Sequence, residues 1–349
     1  MIVPIFLMNR GCPHRCIFCN TRQIAGKDRD PLTEEHIRQT VARYTAHRKT
    51  ETEPVALAFY GGNFTGMTMQ EQERLLAITD GMIRDEMIHE VRMSTRPDDL
   101  TPETLDMLVR HGVGTIEIGV QSMNDRVLQL ARRGHTAEDV NRAVRLAKDR
   151  GIIVGLHLMA GLPGDGEDTF LESVQRVIDL QPNMVRLHPA LVFADTALAE
   201  MYHAGQYTPL SLSDAIRLCK RALVLFEKAR LPLIRLGLLE TDLMRTPGSV
   251  VAGPAHPAFR SLVEAALFMD MAVQLLHERA VLNHKVTFFV SPRDVSSFRG
   301  EKNGNIRELK RRFHLEEITV QTAPDLERGT LAFSEGNRIL AQLKRTDQF

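Results

Sequence analysis

The chain has 349 residues, 43% hydrophobic and 25% charged, enough to bury a sizeable core without disulfide staples. Its 44 Lys and Arg balance its 44 Asp and Glu, which argues against a global field steering it to DNA or to a membrane surface. No run reaches membrane-spanning length, and residues 2–8 are too short for a signal-peptide core, so a cytoplasmic location is expected.

Short β-branched or apolar runs alternate with helical patterns over the first two-thirds of the chain. Strands are expected at 3–8, 55–60, 91–95, 115–120, 152–159, 184–188 and 233–238. Between them, Thr68 with Glu71 predicts a capping-box helix start, and Thr101-Pro102 an N-cap followed by the first helical position. Thr136 with Asp139 opens a helix whose apolar face is Val140, Ala143, Val144 and Ala147, closed by Gly151. This alternation implies an α/β fold, a parallel sheet with helices outside. Six or seven such units suit a partial or complete barrel, with chemistry at the C-terminal strand ends; a doubly wound open sheet satisfies the same periodicity. The pattern changes near residue 245, where Thr246-Pro247-Gly248 and Gly253-Pro254 punctuate the chain. An apolar helix over 257–279, strands at 286–290, 318–321 and 330–333, and a basic helix over 305–313 follow. The expected division is a barrel over 1–245 and a small α+β domain over 246–349, with a substrate-binding or lid role.

Three of the four cysteines fall within eight residues, Cys12-Pro13-His14-Arg15-Cys16-Ile17-Phe18-Cys19, directly after the first expected strand. That is a metal-binding pattern, not a disulfide framework. Three thiolates on one loop can hold one face of an iron–sulfur cluster and leave one iron open to a ligand. A structural zinc loop is the alternative, although Cys219 stands alone in a helical pattern and reads as a buried thiol.

Cys12, Cys16 and Cys19, with aromatic Phe18 just before the last cysteine, resemble the signature of the radical S-adenosylmethionine superfamily. Tyr60-Gly61-Gly62-Asn63 after the second strand, Gly119-Val120-Gln121-Ser122 after the fourth and Gly161-Leu162-Pro163-Gly164 after the fifth agree with it in order. The resemblance covers about residues 1–245 and implies a partial (β/α) TIM-like barrel of the radical SAM type. It implies a [4Fe–4S] cluster on the three cysteines and S-adenosylmethionine on its open iron. One electron would then release a 5′-deoxyadenosyl radical that removes a hydrogen atom from substrate. Phe18, Gly61, Gly62, Asn63, Ser94, Gln121, Arg133 and His157 fall at the positions it implies for cofactor contact. Gln121 and Arg133 match the coproporphyrinogen-oxidase-like branch, and Arg133 suits the cofactor carboxylate because its fork can bind it bidentately. Asn63 stands where many relatives have an acid or Thr, Ser94 where the Elongator-like branch has Glu, and His157 where the other branch has Asp. His157 and His188 read equally as core histidines or pocket wall.

Arg96-Pro97-Asp98 and Arg133-Gly134-His135 resemble the branch containing the catalytic subunit of Elongator, a tRNA wobble-uridine modifier. The likeness stops short of acetyl-CoA chemistry: the nearest fragment to that loop is Arg245-Thr246-Pro247-Gly248, and Val250 breaks it. The expected partners are a reducing electron donor of flavodoxin or ferredoxin type and an unassigned substrate. A tRNA nucleoside is one candidate, with Arg307, Lys310, Arg311 and Arg312 as a basic stripe. A small molecule is a second, and a metal-stabilised binding protein without turnover a third reading.

Overall fold

The computed structural model describes residues 1–20, 32–48, 50, 52–238, 241–278, 285–335 and 338–348. Grouped by their contacts, residues 1–210 and 231–255 form one compact unit, and 211–230 with 256–349 a second. The helix Leu212–Lys228, which lies before the break expected at residue 245, thus groups with the C-terminal residues.

In the first unit every expected strand forms: β1 Ile2–Phe6, β2 Ala56–Tyr60, β3 Glu90–Thr95, β4 Val113–Gln121, β5 Ile153–Ala160 and β6 Met184–Pro189. Two short strands, β7 Val192–Phe193 and β9 Val250–Ala252, pair with each other, and β8 Leu233–Leu236 completes the main sheet. That sheet is parallel with order β1-β2-β3-β4-β5-β6-β8. The order never reverses, which removes the doubly wound alternative, since that fold requires a switch point. The sheet is also curled. The Arg186 guanidinium of β6 donates to the Tyr60 hydroxyl of β2 at 3.3 Å. In a flat sheet strands four places apart lie ~19 Å from each other. The fold is a half-barrel, a partial TIM-like barrel.

Sequence dictates the inside and outside of this curve. In β3, Val91, Met93 and Thr95 are buried on one face, and Glu90, Arg92 and Ser94 alternate with them on the concave face. The helices start where their caps demand. Thr68 accepts from Glu71 N at 3.3 Å, Thr101 from Thr104 N at 3.2 Å, and Thr136 and Asp139 form a reciprocal capping box.

The second unit holds a mixed sheet of order β11-β10-β12-β13, with β10 Lys285–Val290, β11 Glu317–Thr322, β12 Thr330–Glu335 and β13 Arg338–Lys344. The apolar helix is Phe259–His277 and the basic one Gly304–Phe313. Phe288 centres the core, 5.0 Å from Phe298 and 5.6 Å from Phe333 between ring centroids. Strand β13 was not expected, because its residues alternate polar and apolar only irregularly. No described helix is long and apolar enough to cross a membrane.

Candidate cluster and cofactor site

β1 runs directly into the cysteine loop. Met8, Asn9 and Gly11 take positive φ (48°, 64° and 71°), which folds the loop back on the turn after β2. Leu7 N donates to Tyr60 O at 2.7 Å, Asn9 N to Gly61 O at 2.8 Å, and Asn63 N to Arg10 O at 3.0 Å. The Asn63 side chain, 1% exposed, completes the joint. Its Nδ2 donates to Gly11 O (2.7 Å) and to Asp99 Oδ2 (2.5 Å), and its Oδ1 accepts from Arg96 N (3.0 Å) and Thr95 Oγ1 (3.2 Å). These bonds commit both ends of the amide, so Asn63 acts as a latch between the loop and β3 and its side chain is not turned toward a ligand.

The glycines belong to the same joint. A Cβ on Gly62 would lie 2.7 Å from Leu7 Cβ and 2.9 Å from Arg10 O, and one on Gly66 2.1 Å from Gly11 O. The Gly61-Gly62 turn is thus required by the loop packed on it, with Gly61 also at φ 73°. On the opposite flank Ile17 N donates to Ala131 O at 3.2 Å and Leu198 N to Ile17 O at 2.9 Å. Ile17 and Phe18 are buried in an apolar cluster with Val127, Met159, Leu162 and Val192, so Phe18 anchors the loop.

Cys12 and Cys19 are exposed and Cys16 half-buried. Burial, then the neighbouring Cys19 and Cys16, push the Cys12 thiol up to about 11. Among the described residues no three His, Cys, Asp or Glu side chains stand together as a metal-ligating group. Arg133 reaches the loop from the turn after the helix Asp125–Leu130. Its Nη1 donates to Cys16 Sγ at 3.1 Å and its Nη2 to Gly119 O at 2.5 Å, while its buried Nε has no partner. Gln121, at φ 67°, has a buried Oε1 without a partner. A Cβ on Gly119 would lie 3.0 Å from Gln121 Nε2 and 3.2 Å from Arg133 Nη2, so these two side chains meet over that glycine. Three thiols, a partly unsatisfied guanidinium and an unsatisfied amide oxygen fit the donors that a cluster and an amino-acid headgroup need.

Ser94 and His157 face the lumen, below this mouth. His157 Nε2 lies 2.7 Å from Glu117 Oε2, which turns its ring toward a charged hub that the sequence reading missed. Glu117 is fully buried in β4. It accepts from Tyr60 Oη at 2.5 Å, Arg92 Nη2 at 3.3 Å and Arg186 Nη2 at 2.9 Å, with Arg186 Nε at 2.8 Å from its other oxygen. Burial alone raises a carboxyl; here the His157 hydrogen bond and charge, then Arg186 and Tyr60, outweigh it and hold Glu117 at about 2. Tyr60 is pushed up to about 12 by burial and then by Glu117. The available signal was Glu117 itself, a charge between Ile116 and Ile118 with in-phase arginines on β3 and β6, because a fully buried charge must be paired. His188, in β6, is pulled down to about 4 by burial and then by His157, and its buried Nδ1 has no partner.

Comparison with known proteins agrees with this geometry. Residues 6–177 match the Radical SAM superfamily and 182–268 the Radical_SAM C-terminal domain. A tRNA uridine(34) acetyltransferase from Methanocaldococcus jannaschii is 28% identical over 63% of this chain and 48% of its own length. An uncharacterized protein, MJ0486, of the same organism is 32% identical over 60% of this chain and 66% of its own length. The chain thus spans about half the length of the first of these relatives. The solved structure of archaeal Methanocaldococcus infernus Elp3 with an N-terminal deletion superposes with a TM-score of 0.58 at 22% identity, covering 80% of this chain and 63% of that one, a likeness of fold. With its half-barrel and its cysteine loop at the strand ends, the chain belongs to the radical SAM superfamily, enzymes whose cofactors are a [4Fe–4S] cluster and S-adenosylmethionine.

Proposed function

We propose that this enzyme cleaves S-adenosylmethionine reductively at a [4Fe–4S] cluster on Cys12, Cys16 and Cys19, and abstracts a hydrogen atom from a substrate seated in the half-barrel. One observation carries the reading: Arg133 bonds Cys16 Sγ at 3.1 Å while its buried Nε and the Oε1 of Gln121 beside it lack partners. Buried polar atoms left open are costly unless a ligand completes them. When bound, the cluster and S-adenosylmethionine supply a 5′-deoxyadenosyl radical.

The chain's own residues do the rest. Asn63, Gly62 and Gly66 fix the loop, and Ile17 and Phe18 keep water from its apolar side. The Arg133 Nε suits the cofactor carboxylate, and the Gln121 Oε1 suits its ammonium. Gly61 and Gly62 bring backbone to the same mouth. Asn63 fixes that turn, while Ser94 and His157 line the lumen below it. A low-potential donor of flavodoxin or ferredoxin type supplies the electron.

For the substrate, similarity to the tRNA uridine(34) acetyltransferase supports a tRNA nucleoside. A small molecule is the second reading, favoured by the basic helix. There Lys310 Nζ bonds Glu316 O at 2.8 Å, Arg311 pairs with Glu308 at 2.5 Å and Arg307 bonds Lys302 O, so these cations serve local contacts. The test is anaerobic reconstitution followed by reduction with S-adenosylmethionine present, with 5′-deoxyadenosine as the expected product. A fully loaded protein that forms none overturns the proposal. Salt-sensitive tRNA binding, weakened by neutralising Arg307, Lys310 and Arg311, selects the tRNA reading over the small molecule.

A further inference from the structure

The register of the curved sheet sets one row of residues at a common height. Gly119 pairs with His157, His157 with Arg186, and Arg186 with Arg235. At one end of that row the Gly119 carbonyl holds Arg133 at the cofactor mouth. At the other end stands Arg235 on β8, three strand spacings away, or ~14 Å along the sheet and less across the curl.

The charges in this lumen do not balance. Glu117 takes Arg186 and, at 3.3 Å, Arg92, whose other Nη lies 3.6 Å from Glu90. Three guanidiniums, those of Arg92, Arg186 and Arg235, thus face two carboxylates. Arg235 is the one left over: it is exposed on β8, the last strand of the sheet, and among the described residues it has no hydrogen bond or ion pair. Partial burial of its guanidinium and then Arg186 beside it work against its charge, and Glu117 favours it. Beside it His188 keeps a buried Nδ1 without a partner. A cation held next to another cation, with a neutral donor or acceptor adjacent, is the arrangement that an incoming anion relieves.

We propose that Arg235, with His188 beside it and Arg186 behind it, binds an oxyanion of the substrate, a carboxylate or phosphate group that enters the half-barrel from the cofactor mouth. This rests on the function proposed above and narrows its substrate class. The substrate is an acid whose anionic group is anchored across the lumen from the hydrogen to be abstracted. A neutral base presented alone does not satisfy the row, whereas an acidic small molecule or a base bearing an acid does.

The test uses the full chain with arginine labelled at Nε, followed by NMR during titration with sodium acetate, methyl phosphate and, as the neutral control, acetamide. The Arg235 signal is assigned by its loss in Arg235→Gln. The expected result is a saturable shift of that signal with acetate or methyl phosphate, with a dissociation constant of about 1–10 mM, the range reachable by so few atoms. Whichever anion binds more tightly identifies the substrate group as carboxylate or phosphate. Arg235→Lys, which keeps the charge but not the planar fork, is expected to weaken binding about threefold to tenfold. No shift with either anion at 100 mM, an equal shift with acetamide, or an unchanged affinity in a folded Arg235→Gln followed through the Arg186 signal overturns the proposal. Formation of 5′-deoxyadenosine by the reconstituted wild type is measured in parallel. Its absence alongside saturable anion binding overturns the radical reading and leaves the oxyanion site standing.

Discussion

Replacing Glu117 by Gln keeps the shape of the hub and deletes its charge. The carboxylate is fully buried and serves Tyr60, Arg92, His157 and Arg186. The amide leaves Arg186 and Arg92 in the lumen with Glu90, 3.6 Å from Arg92, as their remaining counter-charge, a loss of about 3–5 kcal/mol for a broken buried pair. The depressed carboxyl gives a second route to the magnitude. The Glu117 carboxyl falls from its ordinary 4.5 to about 2 in the folded protein. At about 1.4 kcal/mol per pH unit that difference is worth about 3 kcal/mol, in agreement with the first figure. A carboxyl depressed by folding stabilises fully above its unfolded pKa and loses that stabilisation as pH falls through the folded value. The advantage of wild type over Glu117→Gln is therefore expected to be complete at pH 7, to shrink below pH 4.5 and to vanish near pH 2. Urea unfolding of both proteins, followed by circular dichroism from pH 7 down to the acid limit of folding, reads this directly. A variant as stable as wild type at pH 7, or a gap that holds constant through pH 4.5 to 3, refutes the hub as a stabilising charge network.

Three further outcomes follow from the site. Arg133→Lys keeps the charge but loses the fork over Cys16 and Gly119, and equilibrium dialysis is expected to show S-adenosylmethionine affinity about tenfold lower; unchanged affinity removes Arg133 from the cofactor site. Asn63→Ala strips four hydrogen bonds from the joint between loop and β3, lowering stability by about 1–3 kcal/mol in thermal unfolding and reducing iron retained after reconstitution. Gly62→Ala forces a Cβ within 2.7 Å of Leu7 Cβ, and is expected to cost about 1–3 kcal/mol and to lower iron content, even though the substitution is among the smallest available.

The barrel strands and helix caps were legible because each obeys a local rule: alternation in β3, a threonine cap before Glu71, a capping box at Thr136. The cysteine loop was legible because thiol spacing is chemistry in itself. The hub was not, for a physical reason. Arg92, Glu117 and Arg186 occupy the concave face of the sheet, and a strand with one charged face reads the same whether that face meets solvent or a closed lumen. Only curvature, a property of the whole sheet, brings them together. Asn63 and Gly62 have a duty that their sequence positions do not report: the structure commits the Asn63 side chain and the space around Gly62 to the joint between loop and strand. That joint is made between residues 52 positions apart, Gly11 and Asn63, which no local pattern reports.

The joint has a consequence for how substitutions far from the cysteines are felt. The cysteine loop is pinned on both flanks, by Asn63 bonded to Gly11 on one and by Ile17 bonded to Ala131 on the other. A substitution in the turn after β2, or in the turn after the helix Asp125–Leu130, is therefore felt at the thiols without touching a cysteine. Cys12 and Cys19 lie at the surface with Cys16 tethered behind them. The spacing of the three sulfurs is thus set as much by residues distant in the sequence as by the motif that carries them.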